Sequence, residues 1–281
     1  MLLTRVITAL AILPVVLAML FLASDLAWAL FALAIVLIGC WEWSRLCAFA
    51  AHGAALAYLA LSALAAGAFC VAYARAPQAL FAQLAAASFI AAAVFWIVAV
   101  PMWLARKWRP SPWACALAGW LVLLPTWAAL VVLHDRSPWI LLAVALLVWI
   151  ADIAAYFAGR RFGRVKLAPE ISPGKTREGV AGALLGVLAY GIVLKVTSEG
   201  HEMPVSPLFA GPGGVIAIVF MVALTFVSVV GDLFESWMKR GAGLKDSSGL
   251  LPGHGGVLDR IDALTSTLPV AALLLHYGAP R

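Results

Sequence analysis

The chain has 281 residues, of which 65% are hydrophobic and only 11% charged, with a formal net charge of +6. Soluble domains carry about 45–50% apolar and about 25% charged residues, so this composition excludes a water-soluble globular protein and indicates a chain solvated by a bilayer. The positive charge is explained by the bias of basic residues toward the cytoplasmic face of membrane proteins, and no nucleic-acid partner is expected.

A membrane helix needs about 20 mostly apolar residues. Segments that meet or approach this are 6–23, 26–43, 54–73, 84–104, 113–133, 138–158, 179–197, 211–231 and 263–278. The predicted fold is therefore all-α, a single polytopic domain over 1–281 with about nine transmembrane helices. The first run is read as a retained helix rather than a cleaved signal peptide, because many apolar segments follow it. Before residue 105 the only charged residues are Arg5, Asp25, Glu42, Arg45 and Arg75, so 1–133 reads as scaffold and 138–278 as the part carrying chemistry. Glu42 and Arg45, one turn apart, are read as a local ion pair. Cys40, Cys47, Cys70 and Cys115 lie in or beside apolar segments with no metal spacing and are read as packing residues. Trp103, Trp108 and Trp113 flank the basic loop 106–109 as interfacial anchors would. Gly211-Pro-Gly-Gly214 reads as a turn into the eighth helix.

Orientation follows from the basic residues. With the N-terminus in the cytoplasm, nine spans place fifteen Lys and Arg on the cytoplasmic side. Arg75, Arg136, Lys195 and Arg281 are left on the other.

Two cytoplasmic stretches stand apart, Asp152 to Gly179 and Gly231 to Asp262. The second holds nine of the chain's 32 charged residues, plus His254. Asp232 ends the eighth helix, Asp259 and Asp262 open the ninth on one face, and Asp246 lies between them. Carboxylates gathered this closely repel unless a cation joins them, and hard oxygen ligands suit Mg²⁺. The plainer alternative pairs Asp246 with Lys245 and Asp259 with Arg260. Lys239, Arg240 and Lys245 stand among Gly241, Gly243, Gly249, Gly253, Gly255 and Gly256, a mixture that suits a polyphosphate. Ser172-Pro-Gly-Lys175-Thr176 is not a P-loop: position 169 is Pro where that motif needs Gly, and an apolar helix stands where it needs a strand. Its donors remain candidates for phosphate contact. Asp152, inside the sixth helix, is either a functional acid or the buried partner of an Arg or Tyr. His52, His134, His201 and His276 show no ligand spacing.

Ser236-Trp-Met-Lys239-Arg240, Lys245-Asp246 and Leu251-Pro-Gly-His254-Gly-Gly-Val-Leu-Asp259-Arg260-Ile-Asp262 together resemble the signature of the phosphatidate cytidylyltransferases, or CDP-diacylglycerol synthases. Asp152, Ala155-Tyr156 and Gly159, with Ser172-Pro-Gly-Lys175-Thr176 and Gly179, fit the same family. The resemblance covers about 150–265. It implies an inner-membrane, often dimeric enzyme that makes CDP-diacylglycerol and pyrophosphate from CTP and phosphatidate with Mg²⁺, with room left for a second cation. Its metal acids fall at Asp232 and Asp259, and Asp262 is grouped with them. Lys239, Arg240, Lys245, Asp246, His254 and Arg260 form the expected catalytic set. Ser172, Lys175, Thr176, Ser236, Gly255, Gly256, Asp152 and Tyr156 are the expected substrate contacts. Three other readings compete with this one. A CTP-dependent polyprenol kinase would release CDP. A CDP-alcohol phosphotransferase needs a DGxxAR pattern that is absent. An anion transporter would show repeated halves rather than charge gathered at one end.

Overall fold

The computed structural model describes residues 2–200, 204–209 and 211–278; His201 and Arg281 lie outside them, as does the side chain of Arg5. Among the described residues the chain forms nine rods of span length. They are α1 (Leu2–Leu22), α2 (Asp25–Leu46), α3 (His52–Arg75), the pair α4 (Gln78–Val94) and α5 (Val100–Ala105), α6 (Pro112–Arg136), α7 (Pro138–Phe162), α8 (Arg177–Gly200), α10 (Gly213–Gly241) and α11 (Leu258–Gly278). A π-helical turn, Phe95–Ala99, joins α4 to α5 in one rod. α9 (Ser206–Phe209) is a single turn, and β1 (Lys166–Ala168) pairs antiparallel with β2 (Ser172–Thr176). The hairpin corrects the all-helical expectation locally: a strand does precede the Ser172–Thr176 motif, and the motif is itself a strand.

Seven of the rods are long and apolar enough to cross a membrane, and the apolar part of α1 is Val6–Leu22. The protein is a multi-pass membrane protein of the all-α class. α11 is the exception that explains itself. It packs against α2, α4, α6, α7 and α10, so protein rather than lipid surrounds it. It therefore carries Thr265, Ser266 and Thr267, all buried, whose hydroxyls donate to carbonyls one turn earlier. Pro269 supplies no N–H to the Thr265 carbonyl four residues before it. The Thr126 hydroxyl of α6 donates mainly to the Val122 carbonyl at 2.6 Å and approaches the Thr265 carbonyl at 3.2 Å, replacing the missing donor only in part.

Indoles sew α2 to α6. Trp28 donates to the Leu130 carbonyl at 3.0 Å, Trp127 to Ala29 at 3.0 Å and Trp43 to Cys115 at 2.8 Å. Trp28, Ala32, Val36, Cys40 and Trp43 recur every three or four residues on the buried face of α2. All four cysteines are free and buried, as the packing reading requires. Trp103 is buried instead of anchoring at the surface: its indole donates to the Trp108 carbonyl and its ring meets Phe234 edge-on, while Trp108 and Trp113 are exposed.

Successive rods alternate in direction, so both charged stretches come to one end. Thr8 of α1 donates to the Pro252 carbonyl there, and Arg45 of α2 to the Ser247 carbonyl. The seam between α7 and α8 is built on small residues that let backbones approach. A Cβ on Gly182 would lie 3.0 Å from the Ala154 carbonyl oxygen, and one on Gly186 2.8 Å from the Ala154 Cβ. Gly186→Val is expected to destabilise the protein by about 1–3 kcal/mol through overpacking. Gly67→Ala, with no atom within 4 Å, should leave stability unchanged or raise it by up to about 1 kcal/mol through helix propensity. Thermal unfolding in detergent reads both.

Candidate active site

The loop between α10 and α11 is organised by two carboxylates. Glu42, fully buried on α2, accepts from the amides of Val257 at 2.9 Å and Leu258 at 2.6 Å, and from the hydroxyls of Ser248 at 2.5 Å and Ser247 at 3.3 Å. Two of these donors are backbone N–H groups at the start of α11, so an acid from a distant helix satisfies that terminus and faces its positive dipole end. Asp259 Oδ2 accepts from the Ser247 amide at 2.9 Å, the Ser247 hydroxyl at 2.9 Å and the Gly256 amide at 2.8 Å. Glu42 therefore does not spend its charge on Arg45 as the sequence suggested; no ion pair joins them among the described residues.

The glycines follow from this geometry. Gly253 and Gly255 have φ of +76° and +82° and form the turn that returns the Leu251 amide to the Gly255 carbonyl at 2.8 Å. A side chain on Gly256 would overlap Ser247 and Glu42. The Gly256 amide, a candidate phosphate donor, is turned inward onto Asp259.

Beneath the loop, Lys239 bridges Glu235 at 2.7 Å and Asp259 Oδ1 at 2.6 Å. Asp259 thus pairs with Lys239, and neither Asp259–Arg260 nor Asp246–Lys245 is an ion pair among the described residues. Glu235 is 3% exposed, and its Oε1 has no donor. The Glu235 side chain interacts with Asp262, which in turn lies in the field of Asp232. A buried carboxylate beside a half-buried one is stabilised by a shared proton or a cation between them. Asp232 forms an ion pair with Lys175 from β2 and accepts from Ser236 at 3.4 Å. Asp152, exposed rather than buried, lies in the field of Asp232, Lys175 and Arg260. Asp152 and Asp232 are ten and nine residues from the ends of α7 and α10. At 1.5 Å per residue the site reaches about 14–15 Å along those helices.

The hairpin delivers Lys175, and Thr176 anchors it. The Thr176 hydroxyl accepts from the Gly179 amide at 3.1 Å, capping α8, and is packed against Gly159 and Gly163. Tyr156 is exposed and accepts from Arg160 at 3.1 Å. Lys245, Asp246, Arg240 and Arg260 are exposed around the loop, with Arg240 folded back onto the Leu244 carbonyl at 3.3 Å. His254 is half-buried, its Nδ1 without a partner. Ser172 is half-buried on β2.

Asp232, Asp259 and Asp262 were expected to gather as one metal set. Their ligand atoms do not meet as a tight triad; among the described residues only Asp25, His134 and Asp135 do, at the opposite end of the bundle. The charge partners Lys175 and Lys239 occupy Asp232 and Asp259 instead. Sequence reasoning missed Glu235 and the role of Glu42. Glu235 was findable: Asp232, Glu235 and Lys239 follow one another at i, i+3 and i+7, on one face of α10.

Replacing Glu42 by Ala orphans three donors, the Val257 and Leu258 amides and the Ser248 hydroxyl, while Ser247 keeps Asp259, at roughly 1–3 kcal/mol for each that stays buried and unpaired. Loss of cooperative unfolding in detergent, with protease cleavage appearing within 242–257, is expected. Glu42→Gln keeps acceptor capacity on one oxygen and should fall between.

The sequence matches the cytidylyltransferase family over residues 3–278. It is 41% identical to a phosphatidate cytidylyltransferase of Pseudomonas aeruginosa, covering 100% of both chains. It is 34% identical to one of Haemophilus influenzae, covering 96% of each. A Brucella suis protein of the same name is 48% identical over 132 residues, 47% of this chain and 44% of that one. With a match that runs through both the scaffold helices and the charged end, the chain belongs to the cytidylyltransferase family.

Proposed function

We propose that the protein transfers the cytidylyl group of CTP to phosphatidate, forming CDP-diacylglycerol and releasing pyrophosphate. The observation that carries this reading is the meeting of Asp232, Glu235, Asp262 and Asp259 with Lys175 and Lys239 at one end of an apolar bundle. Such a site is reachable both by a soluble nucleotide and by a lipid headgroup. The full-length likeness to proteins named phosphatidate cytidylyltransferase supports the choice of substrates.

In the reaction, a phosphate oxygen of phosphatidate attacks the α-phosphorus of CTP, the new O–P bond forms, and the bond to the β-phosphate oxygen breaks. A phosphate monoester has its second pKa near 6, so the nucleophile is already ionised at neutral pH and needs no general base. The barrier is the approach of two anions. Lys175, Arg260, Arg240 and Lys245 supply fixed positive charge for the phosphates, with Ser172 and Ser236 as nearby hydroxyl donors. Lys239, locked between Glu235 and Asp259, positions the acids and sets the height of the loop.

Mg²⁺ fits the residues present. The buried Oε1 of Glu235 has no donor, and its side chain interacts with Asp262, an arrangement that a divalent cation would relieve. Glu235 and Asp262 would hold it; Asp232 does not form a tight triad with them in the structure and would join only by leaving Lys175. When bound, it would neutralise the triphosphate and the departing pyrophosphate. The family resemblance further suggests a homodimer in a bacterial inner membrane. The fifteen-to-four distribution of basic residues supports a cytoplasmic site and N-terminus.

Purified protein in detergent with Mg²⁺ is expected to release pyrophosphate only when CTP and phosphatidate are both present, and ATP should not replace CTP. Release without phosphatidate, or CDP formed on a lipid alcohol, would contradict the reading. Lys175→Ala should lower kcat by about 10²-fold or more. Asp262→Asn should raise the Mg²⁺ concentration needed for half-maximal rate. An unchanged Mg²⁺ dependence would remove Asp262 from the metal set.

A further inference from the structure

At the end of the bundle away from the candidate active site, His134 closes α6 and Asp25 opens α2. His134 is 5% exposed and its ring lies flat on Trp28, with centroids 4.9 Å apart and planes 13° apart. Its Nε2 is 3.0 Å from the Leu20 carbonyl of α1. A carbonyl only accepts, so Nε2 carries the hydrogen and Nδ1 is left with its lone pair or a second proton. Nδ1 is buried and has no hydrogen-bond partner. It points toward Asp25 Oδ1 at 3.6 Å, and the ligand atoms of His134, Asp25 and Asp135 all lie within 4.8 Å of one another.

We propose that Asp25, His134 and Asp135 form a binding site for a divalent cation of the zinc class. The distances favour this over an ion pair. At 3.6 Å the Nδ1–Asp25 contact is too long for a hydrogen bond. Two ligands held at about 2.0–2.1 Å from a tetrahedral ion stand roughly 3.4 Å apart, close to what is seen. One imidazole nitrogen with two carboxylate oxygens suits Zn²⁺ or a neighbouring transition metal better than Mg²⁺.

The surroundings are those that ligands need. The Nε2–H bond to Leu20 fixes the ring's tautomer and direction. The Tyr73 hydroxyl donates to Asp135 Oδ1 at 2.9 Å, orienting that carboxylate from α3. The negative dipole end of α6 adds to the attraction for a cation. A bound ion would tie α1, α2, α3 and α6 together where the scaffold helices meet, as a structural clamp independent of the transfer reaction.

The test uses full-length protein in detergent, stripped of metal with a chelator and titrated with Co²⁺ alone. One equivalent should bind with the visible bands of a nitrogen–oxygen site and be displaced by Zn²⁺, and Zn²⁺ should raise Tm. Asp25 is 71% exposed at its side chain, so Asp25→Asn is not expected to disturb folding. It and Asp135→Asn should each weaken binding by about tenfold or more while leaving pyrophosphate release unchanged. Absence of Co²⁺ bands in folded protein would overturn the proposal. So would near-ultraviolet thiolate bands, which would place the ion on cysteines such as Cys47 and Cys115, or binding that survives both substitutions.

Discussion

The charged end of this bundle depends on one contact: the carboxylate of Glu42 against the first amides of α11. A helix that starts inside a membrane protein exposes N–H groups that neither lipid nor helix can satisfy. Glu42 meets two of them and takes the hydroxyls of Ser247 and Ser248 as well, which pulls the glycine-rich loop down onto the helix ends. Asp259 completes the fold of the loop by gathering Ser247 and Gly256. The glycines then have a mechanical reason: the turn needs positive φ at Gly253 and Gly255, and Gly256 leaves room for Glu42.

From that base a chain of opposite charges runs through the site. Glu235 and Asp259 share Lys239, and Asp232 pairs with Lys175. One buried oxygen of Glu235, whose side chain interacts with Asp262, has no donor. The place where the pairing is incomplete is the place where a divalent ion has most to contribute. The two lysines come from different elements, so the constellation exists only when β2, α10 and α11 are assembled together.

Much of this was legible in the sequence. Nine rods of span length lie where apolar segments predict them, seven of them apolar enough to cross a membrane, and the two charged stretches marked the end proposed to carry chemistry. The hairpin was not legible: β1 and β2 have three and five residues, and Pro173 and Gly174 sit in the second, where strand patterns break down. Trp103 looked like an interfacial anchor because spacing from a basic loop does not reveal that Phe234 of α10 packs against it. Glu42 looked like half of a local pair because its true donors lie more than 200 residues away. Thr176 looked like a phosphate contact, and its hydroxyl caps α8. For Trp103 and Glu42 a partner from a distant segment took precedence over the local pattern.

The central claim is that the α-phosphorus of CTP is the atom attacked. The most direct measurement supplies the purified protein, Mg²⁺ and phosphatidate with CTP labelled at either the α- or the γ-phosphorus. The account predicts that α-label enters the lipid fraction and γ-label leaves entirely as pyrophosphate. Label from the γ-position in the lipid would mean phosphoryl rather than cytidylyl transfer, and would contradict it.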